Sequence, residues 1–394
     1  MPPATTQHAP NRWVMLVVGM LAQTAGTVSA TAAVFLIPYL HLERGLSLTH
    51  AGALASASLV GTTISLVAWG TVVDRVGERF TLSAGLTVTT AAAAAAAFAT
   101  GYLALAVCWF FAGVGVASSN AASGRLVVGW FPAHQRGTAM GIRQTALPLG
   151  VGFTALFVPL MVKATDLRTT LLAIAVLCAV SLIPCATLVV DPPRTPRAEV
   201  TDPASVANPY RGSRTLLRIH AASALLVVPQ YTVWTYMLVW LIDEKGWAAG
   251  VAGGLVAVTQ LLGSGGRIGV GWWSDRVANR LIPLRQVAVL AAATMLLLGI
   301  LEPTPVAIAL IVVATVVTVA DNGLAFTSVA ELSGPYWSGR ALGLQNTGQY
   351  LAAAAVPPVV GLLVTHLGYG WAFAIAALFP LLAIGLVPVE TESA

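Results

Sequence analysis

The chain has 394 residues, of which 57% are apolar and only 9% carry a charge. Soluble domains carry about one quarter charged residues, so this composition excludes an ordinary soluble domain and predicts an integral membrane protein. The formal net charge of +5 arises from arginines that are dispersed among loops, which argues against nucleic acid as a partner.

Long apolar segments recur along the chain and predict transmembrane helices. Each is about 20 residues or longer, enough to cross roughly 30 Å of hydrocarbon as a helix, and lacks the alternating period of barrel strands. Cys108, Cys178 and Cys185 lie inside these segments without CxxC spacing, which indicates buried packing. The twelve predicted helices are Trp13–Leu40, Leu48–Val73, Phe80–Thr100, Leu103–Val128, Thr138–Val162, Thr169–Val190, Leu216–Leu241, Gly250–Trp273, Leu281–Leu301, Pro305–Ala330, Gly339–His366 and Tyr369–Pro388.

The segment after the sixth predicted helix is rich in Pro, Arg and Asp and predicts a connection between two halves. We therefore divide the chain into an N-terminal half at 1–190, a linker at 191–215 and a C-terminal half at 216–394. Arginines are concentrated on the side that holds both termini and the linker. By the positive-inside rule, we expect a multi-pass protein of the cytoplasmic membrane with both termini in the cytoplasm.

Two copies of one loop, about 200 residues apart, indicate that the halves are related. Gly70–Arg75 (GTVVDR) follows the second predicted helix, and Gly271–Arg276 (GWWSDR) follows the eighth. The same offset carries Asn120 of the fourth helix onto Asp321 of the tenth. Internal repeats of this kind are typical of membrane transporters.

The loop Gly70–Arg79, with the pattern GxxxDRxGxR, resembles the signature of the major facilitator superfamily, and Gly271–Arg280 is similar to its weaker second-half copy. The resemblance covers essentially the whole chain. It implies an all-α membrane protein whose twelve transmembrane helices form two pseudo-symmetric six-helix bundles around a central cavity, with alternating access by rocking of the halves. It says little about the substrate.

Two regions depart from the family pattern. Proton-coupled members usually carry an arginine in the fourth helix, where this chain has Trp109. The fifth-helix segment Gly141–Gly152 matches the antiporter motif only in part. Arg267, four residues before the signature glycine of the eighth helix, is similar to monocarboxylate and oxalate/formate carriers, but the eleventh-helix lysine of the oxalate carriers has no counterpart.

The resemblance also implies which helices close the cytoplasmic side. The second helix would pack against the eleventh and the eighth against the fifth. We expect Asp74 near Gly339–Arg340 and Asp275 near Arg136–Gly137, where a carboxylate can cap the N-terminus of the neighbouring helix. A solvated topogenic loop is the alternative. The predicted gating residues are Asp74, Arg75, Arg79, Asp275, Arg276, Arg280, Arg136 and Arg340.

Two arginines, Arg143 and Arg267, lie within predicted helices. A charge in hydrocarbon costs about 2.5–3.5 kcal/mol even on the lenient insertion scale, so such residues usually face a cavity. Snorkelling to the head groups is the alternative. Other polar and aromatic residues could line the same cavity or join helices by hydrogen bonds. The predicted substrate-binding residues are Arg143, Arg267, Gln260, Gln345, Asn346, Gln349, Tyr350, Tyr231, Trp234, Asn120 and Gln23.

Asp321 is the one acidic residue near the middle of a predicted span. It could be a fixed counter-ion to an arginine, a carboxyl group that carries a proton, or a cation site. We name it as the candidate for proton coupling.

Two intramembrane arginines facing one acid favour a secondary transporter for a small organic or inorganic anion, carboxylate-like, that acts as a monomer among membrane lipids. The alternative is a proton-coupled exporter of drugs or metabolites. We do not expect an enzyme, because the chain has neither an HExxH nor a GxSxG pattern. It also lacks a GxxxxGK[ST] loop for ATP, and we predict no cofactor and no metal.

Overall fold

The structure of the protein, a computed structural model, describes residues 11–194, 199–200, 206–211 and 213–388. The predicted terminal residues beyond this range and parts of the predicted linker lie outside the described residues. The described chain is helical and contains no strand. Its helices are α1 Arg12–Phe35, α2 Ile37–Leu42, α3 Leu48–Val76, α4 Glu78–Ala96, α5 Tyr102–Trp130, α6 Ala133–Arg143, α7 Ala146–Ala164, α8 Leu167–Leu188, α9 Thr215–Asp243, α10 Ala249–Arg276, α11 Leu281–Ile300, α12 Val306–Ser333, α13 Ser338–Ala376 and α14 Leu378–Leu386.

Two predicted helices are interrupted, and one boundary between predicted helices is less sharp than expected. The first predicted helix bends at Leu36, where Pro38 follows in the first turn of α2. The fifth begins five residues earlier than predicted, at Ala133, and is interrupted between α6 and α7. The last two predicted helices run together in α13, where Gly368 alone leaves the helical conformation with φ 84° and ψ 170°.

Nine helical segments of the described chain are long and apolar enough to cross a membrane. The last of them, Ser338–Leu386, contains the break at Gly368 and so covers two predicted helices. Glu78–Ala96 and Ala249–Arg276 are helical but are not among the nine. The chain is therefore a multi-pass helical membrane protein.

Helices of the same predicted half pack together, and the two largest interfaces between the halves are also clear. Within the halves, α5 packs against α1, α3 and α4, and α12 packs against α9, α10 and α11. Between the halves, α3 packs against α13 and α6 packs against α10. These two interfaces lie where the sequence repeat places equivalent helices.

Both interfaces bring glycine backbones into direct contact. A Cβ atom on Gly70 would lie 2.3 Å from the carbonyl oxygen of Gly339, and one on Gly271 would lie 2.2 Å from that of Gly137. Real Cβ atoms do not approach other atoms so closely. Glycine is therefore required here for close approach of two helices.

Carboxylates cap two helices of the N-terminal half. Asp191, which follows α8, accepts hydrogen bonds from the backbone N–H groups of Glu78 (2.7 Å) and Arg79 (2.8 Å) at the start of α4. Asp166 caps α8 by accepting from the N–H of Thr169 at 2.6 Å. This hydrogen bond lowers the pKa of the Asp166 carboxyl group below its usual value.

Candidate functional site

Asp74 joins the two halves at the end of α3. Its carboxylate accepts hydrogen bonds from the backbone N–H groups of Gly339 (2.8 Å) and Arg340 (3.0 Å) at the start of α13. It also accepts from Arg340 Nε at 3.0 Å. The structure thus places Asp74 against the two residues named for it from the sequence, in the geometry of a helix cap.

Asp275 makes the equivalent contacts at the end of α10. It accepts from the N–H groups of Gly137 (2.9 Å) and Thr138 (2.8 Å) and from the Thr138 hydroxyl (2.7 Å). Arg280 Nη1 donates to it at 2.7 Å. We call the end of the helices that contains both carboxylates the Asp74–Asp275 end. Its closing role stays a prediction.

A buried arginine that the sequence did not single out belongs to this end. Arg125 Nη1 donates to Asp74 at 3.0 Å, and Arg125 Nε lies 3.2 Å from Glu78. Arg125 Nη2 donates to the Pro335 carbonyl at 2.9 Å, across to the other half. Its position at the end of an apolar run made it look like a loop residue, although it is buried.

The other predicted gating residues divide into two groups. Arg136 pairs with Glu331 at 3.4 Å, as does Arg280 through its Nε. Arg75, Arg79 and Arg276 are exposed, and the ion pairs of the described residues do not involve them. The first group joins helices, whereas the second faces outwards.

A polar cavity of about 70 Å³ lies between the halves. Eight predicted substrate-binding residues line it, namely Gln23, Asn120, Arg143, Tyr231, Arg267, Asn346, Gln349 and Tyr350. Six further lining residues were not in the predicted set, namely Gln144, Leu147, Val227, Gln230, Asn322 and Phe326.

Arg143 is 1% exposed and is held by neutral groups of its own half. Its Nε donates to the Ser123 hydroxyl at 3.0 Å and its Nη2 to the Asn120 carbonyl at 3.0 Å. Its Nη1 donates to the side-chain oxygen of Gln144 at 2.7 Å. The guanidinium also lies 5.6 Å from the ring centroid of Phe326, on the other half. Arg143 therefore faces the cavity and does not snorkel.

Arg267 is 4% exposed and reaches across to the other half. Its Nη1 donates to the main-chain carbonyl of Gln144 at 2.9 Å, and its Nε donates to Val319 of α12 at 3.4 Å. The two arginines therefore meet at a single residue. Gln144 follows Arg143 directly in sequence, but a neutral glutamine carries no charge signal that sequence reasoning could use.

Asp321 is 1% exposed, and neither of its carboxylate oxygens has a hydrogen-bond partner among the described residues. The ion pairs within 4.0 Å in the described chain do not involve Asp321, Arg143 or Arg267. Asp321 also does not line the cavity. The structure does not bring it into direct contact with either arginine.

Three predicted substrate-binding residues do not line the cavity. Gln345 Oε1 bonds to His220 Nδ1, and its amide nitrogen has no partner in the described part of the chain. Trp234 lies beside Arg267, with the guanidinium 6.0 Å from its ring centroid. Gln260 accepts from the Ser264 hydroxyl through its backbone carbonyl.

Outside the membrane, burial raises the pKa of Tyr210, which contacts His220, to about 12.

Amide side chains form a network around the arginines. Gln23 donates to Asn120 at 3.2 Å in the N-terminal half. Asn322 donates to Gln230 at 2.9 Å and accepts from Gln349 at 3.1 Å in the C-terminal half. Each bonded amide pair joins two helices of one half. These groups can donate and accept, so they can exchange partners with a polar solute.

A bundle of membrane helices, two internally repeated interfaces and a buried charged cavity between them are the features of a membrane transport protein. The sequence model of the Major Facilitator Superfamily matches residues 15–357, and the chain belongs to that family. Members of this family are transporters and are not enzymes in general.

Three similar proteins are also named as transporters. The chain is 45% identical over 381 residues to an uncharacterized MFS-type transporter of Mycobacterium tuberculosis, covering 96% of this chain and 85% of the relative. It is 22% identical over 253 residues to the hexuronate transporter of Bacillus subtilis, covering 62% of this chain and 60% of the relative. It is 33% identical over 139 residues to the probable anion transporter 4, chloroplastic, of Arabidopsis thaliana, covering 34% and 26%.

Solved structures share the fold. The transporter FucP of E. coli, in the outward conformation, matches with a TM-score of 0.79 at 15% identity, covering 96% of this chain and 99% of that one. At this identity the likeness concerns the fold alone.

Proposed function

We propose that the protein is a secondary transporter that moves a small anion, carboxylate-like, across the cytoplasmic membrane by alternating access. The moving units would be two six-helix bundles, at 1–190 and 216–394, connected by the linker at 191–215. Both termini would lie in the cytoplasm, as the distribution of arginines favours. The protein would act as a monomer in its lipid surroundings.

One observation carries the anion proposal. Arg143 and Arg267 come from different halves, are almost fully buried, and line one cavity without a carboxylate within 4.0 Å in the described chain. Two like charges in a medium of low dielectric repel each other unless a negative group lies between them. An anion in the cavity would gain charge-assisted hydrogen bonds from both guanidinium groups.

The repeated contacts at the Asp74–Asp275 end support alternating access. Each carboxylate joins a helix of one half to the first turn of a helix in the other half. Such contacts are polar and local, so they can break and form again as the halves rock. The names of two relatives, a hexuronate transporter and an anion transporter, favour an anionic substrate here as well.

A second candidate is a proton-coupled exporter of drugs or metabolites. It is favoured by Asp321, a buried carboxyl group without a hydrogen-bond partner among the described residues. An ionisable group inside a membrane helix is a candidate for a proton relay, and Asp321 occupies such a position. In the leading proposal the same residue would couple anion movement to the pH gradient.

Transport by the purified protein in liposomes tests the anion proposal. The panel contains carboxylates, including D-glucuronate, together with nitrate, cyanate and cationic dyes, each with and without a pH gradient. We expect saturable uptake of at least one anion and none of the dyes. Saturable movement of dyes alone would favour the exporter and overturn the anion proposal.

Two substitutions test the arginines directly. Truncating one partner of a buried charged interaction costs about 2–5 kcal/mol, so Arg143→Gln and Arg267→Gln should each lower anion uptake at least about 30-fold. Arg285→Gln is the matched control, because Arg285 is exposed and belongs to the same half as Arg267. Normal uptake of a fully active anion by both cavity variants would refute the proposal.

A further inference from the structure

The membrane helix formed by α6 and α7 is broken beside the cavity. α6 ends at Arg143 and α7 begins at Ala146, which leaves Gln144 and Thr145 between them. In a continuous helix the carbonyl of Gln144 would accept from the N–H group four residues later. That residue is Pro148, which has no N–H group. The Gln144 carbonyl is therefore left without a partner in its own helix.

This freed carbonyl is the group that Arg267 contacts. Arg267 Nη1 donates to it at 2.9 Å, from α10 of the other half. The side-chain oxygen of the same Gln144 accepts from Arg143 Nη1 at 2.7 Å. A carbonyl group inside the membrane needs a donor, and a buried guanidinium needs acceptors. One neutral residue thus supplies an acceptor to each arginine.

The equivalent interface of the repeat has no such arrangement. The residues that correspond to Gln144 and Pro148 in the C-terminal half are Asn346 and Tyr350, and Leu66 corresponds to Arg267. Asn346 donates to the Leu342 carbonyl within its own helix. The contact is therefore not required by the repeated fold, and it distinguishes the α6–α10 interface from the α3–α13 interface.

We infer that Gln144 is a positioning residue for the transport cycle. In the substrate-free protein its carbonyl, freed by Pro148, holds Arg267 and so fastens α10 to the other half. An anion in the cavity makes stronger bonds to a guanidinium than a neutral carbonyl does, so binding would release this fastening. The release by an anion rests on the proposed function, whereas the fastening of α10 by the Gln144 carbonyl does not.

Pro148→Ala tests the fastening, because alanine restores the N–H group that can occupy the Gln144 carbonyl. Pro159→Ala is the matched control, since Pro159 lies in α7 away from the cavity. Spin labels at exposed Val76 and Ile282, one on each half, report the distance across the Asp74–Asp275 end. The labels are placed in a variant whose three cysteines are replaced by alanine, in liposomes without substrate.

We expect Pro148→Ala to raise the ratio of open to closed conformers about ten-fold, as for loss of one hydrogen bond to a charged group. Pro159→Ala should leave that ratio unchanged. In an Arg267→Gln background, Pro148→Ala should have no further effect, which a general change in helix shape would not reproduce. Equal ratios in Pro148→Ala and wild type, or additive effects with Arg267→Gln, would overturn the inference. Because no anion is present, this outcome is independent of whether the anion proposal fails.

Discussion

Asp275→Asn removes the negative charge of Asp275 from the Asp74–Asp275 end and changes the shape of the side chain very little. The native carboxylate accepts from Gly137 and Arg280 at one oxygen and from the two donors of Thr138 at the other. Asparagine keeps one oxygen and places an NH₂ group where the second stood. Whichever way the amide turns, at least one backbone N–H faces another donor.

The size of the effect follows from these bonds. The variant loses at least one charge-assisted hydrogen bond to a backbone N–H group. Depending on how the amide turns, Arg280 either donates to a neutral oxygen or faces the NH₂ group and loses its bond. Hydrogen bonds to charged groups contribute about 1.5–3 kcal/mol, and Asp275 is only slightly exposed, so screening by solvent is small. We expect the closed state to lose about 2 kcal/mol relative to the open state, or about 30-fold in the ratio of the two.

The spin labels at Val76 and Ile282 measure this shift. Glu331→Gln is the control: Glu331 makes ion pairs at 3.4 Å and is 23% exposed, so its loss should change the ratio less than three-fold. The thermal unfolding midpoint should change little, because no apolar contact is lost. A closed fraction equal to wild type in Asp275→Asn would refute the closing role of this carboxylate.

Four other outcomes are expected. Arg267→Lys keeps the charge but loses the planar fork, so anion uptake in liposomes should fall strongly while the protein still folds. Asp321→Asn should spare anion exchange and remove accumulation driven by a pH gradient; retained accumulation would exclude proton coupling through Asp321. A cysteine at exposed Ala207 should react with impermeant reagents from the cytoplasmic side only, and reaction from outside in intact cells would reverse the proposed orientation. The lowered pKa of Asp166 means that its cap contributes above about pH 4 and is lost as pH falls through the lowered value. Protection of the first turn of α8 against hydrogen exchange, relative to an unstructured chain at the same pH, should therefore fall below that pH, and unchanged protection would contradict the cap.

Much of the architecture could be predicted, because membrane helices are encoded locally. The apolar runs indicated the regions of the long helices, and the resemblance to the family indicated which helix ends would meet. Asp74 and Asp275 could be given partners because the resemblance places them beside helix N-termini, which attract carboxylates. The contacts of Asp74 with Gly339 and Arg340 are of this kind.

The details of the cavity could not be predicted in the same way. Arg125 and Gln144 act where helices that are distant in sequence meet. Arg125 carries a charge but lies at the end of an apolar run, like a loop residue, and Gln144 is neutral. Asp321, for which a role as counter-ion to the arginines was one alternative, is not within ion-pair distance of them in the described chain. Neutral groups, including main-chain carbonyls, supply the acceptors instead. The sequence shows that Pro148 leaves a carbonyl without its helical N–H donor. It does not show which residue donates to that carbonyl instead.

The glycine contacts between the halves would affect the rate at which the two halves separate. Gly70 against Gly339, and Gly137 against Gly271, bring backbone directly onto backbone. Interlocked side chains would have to change rotamer before two helices could part, and would lose rotamer freedom again on return. Glycines have no rotamers to lose. Separation of the helices at these points would therefore need no rotamer change. The polar contacts of Asp74 and Asp275 would then set the free-energy barrier to separation of the halves.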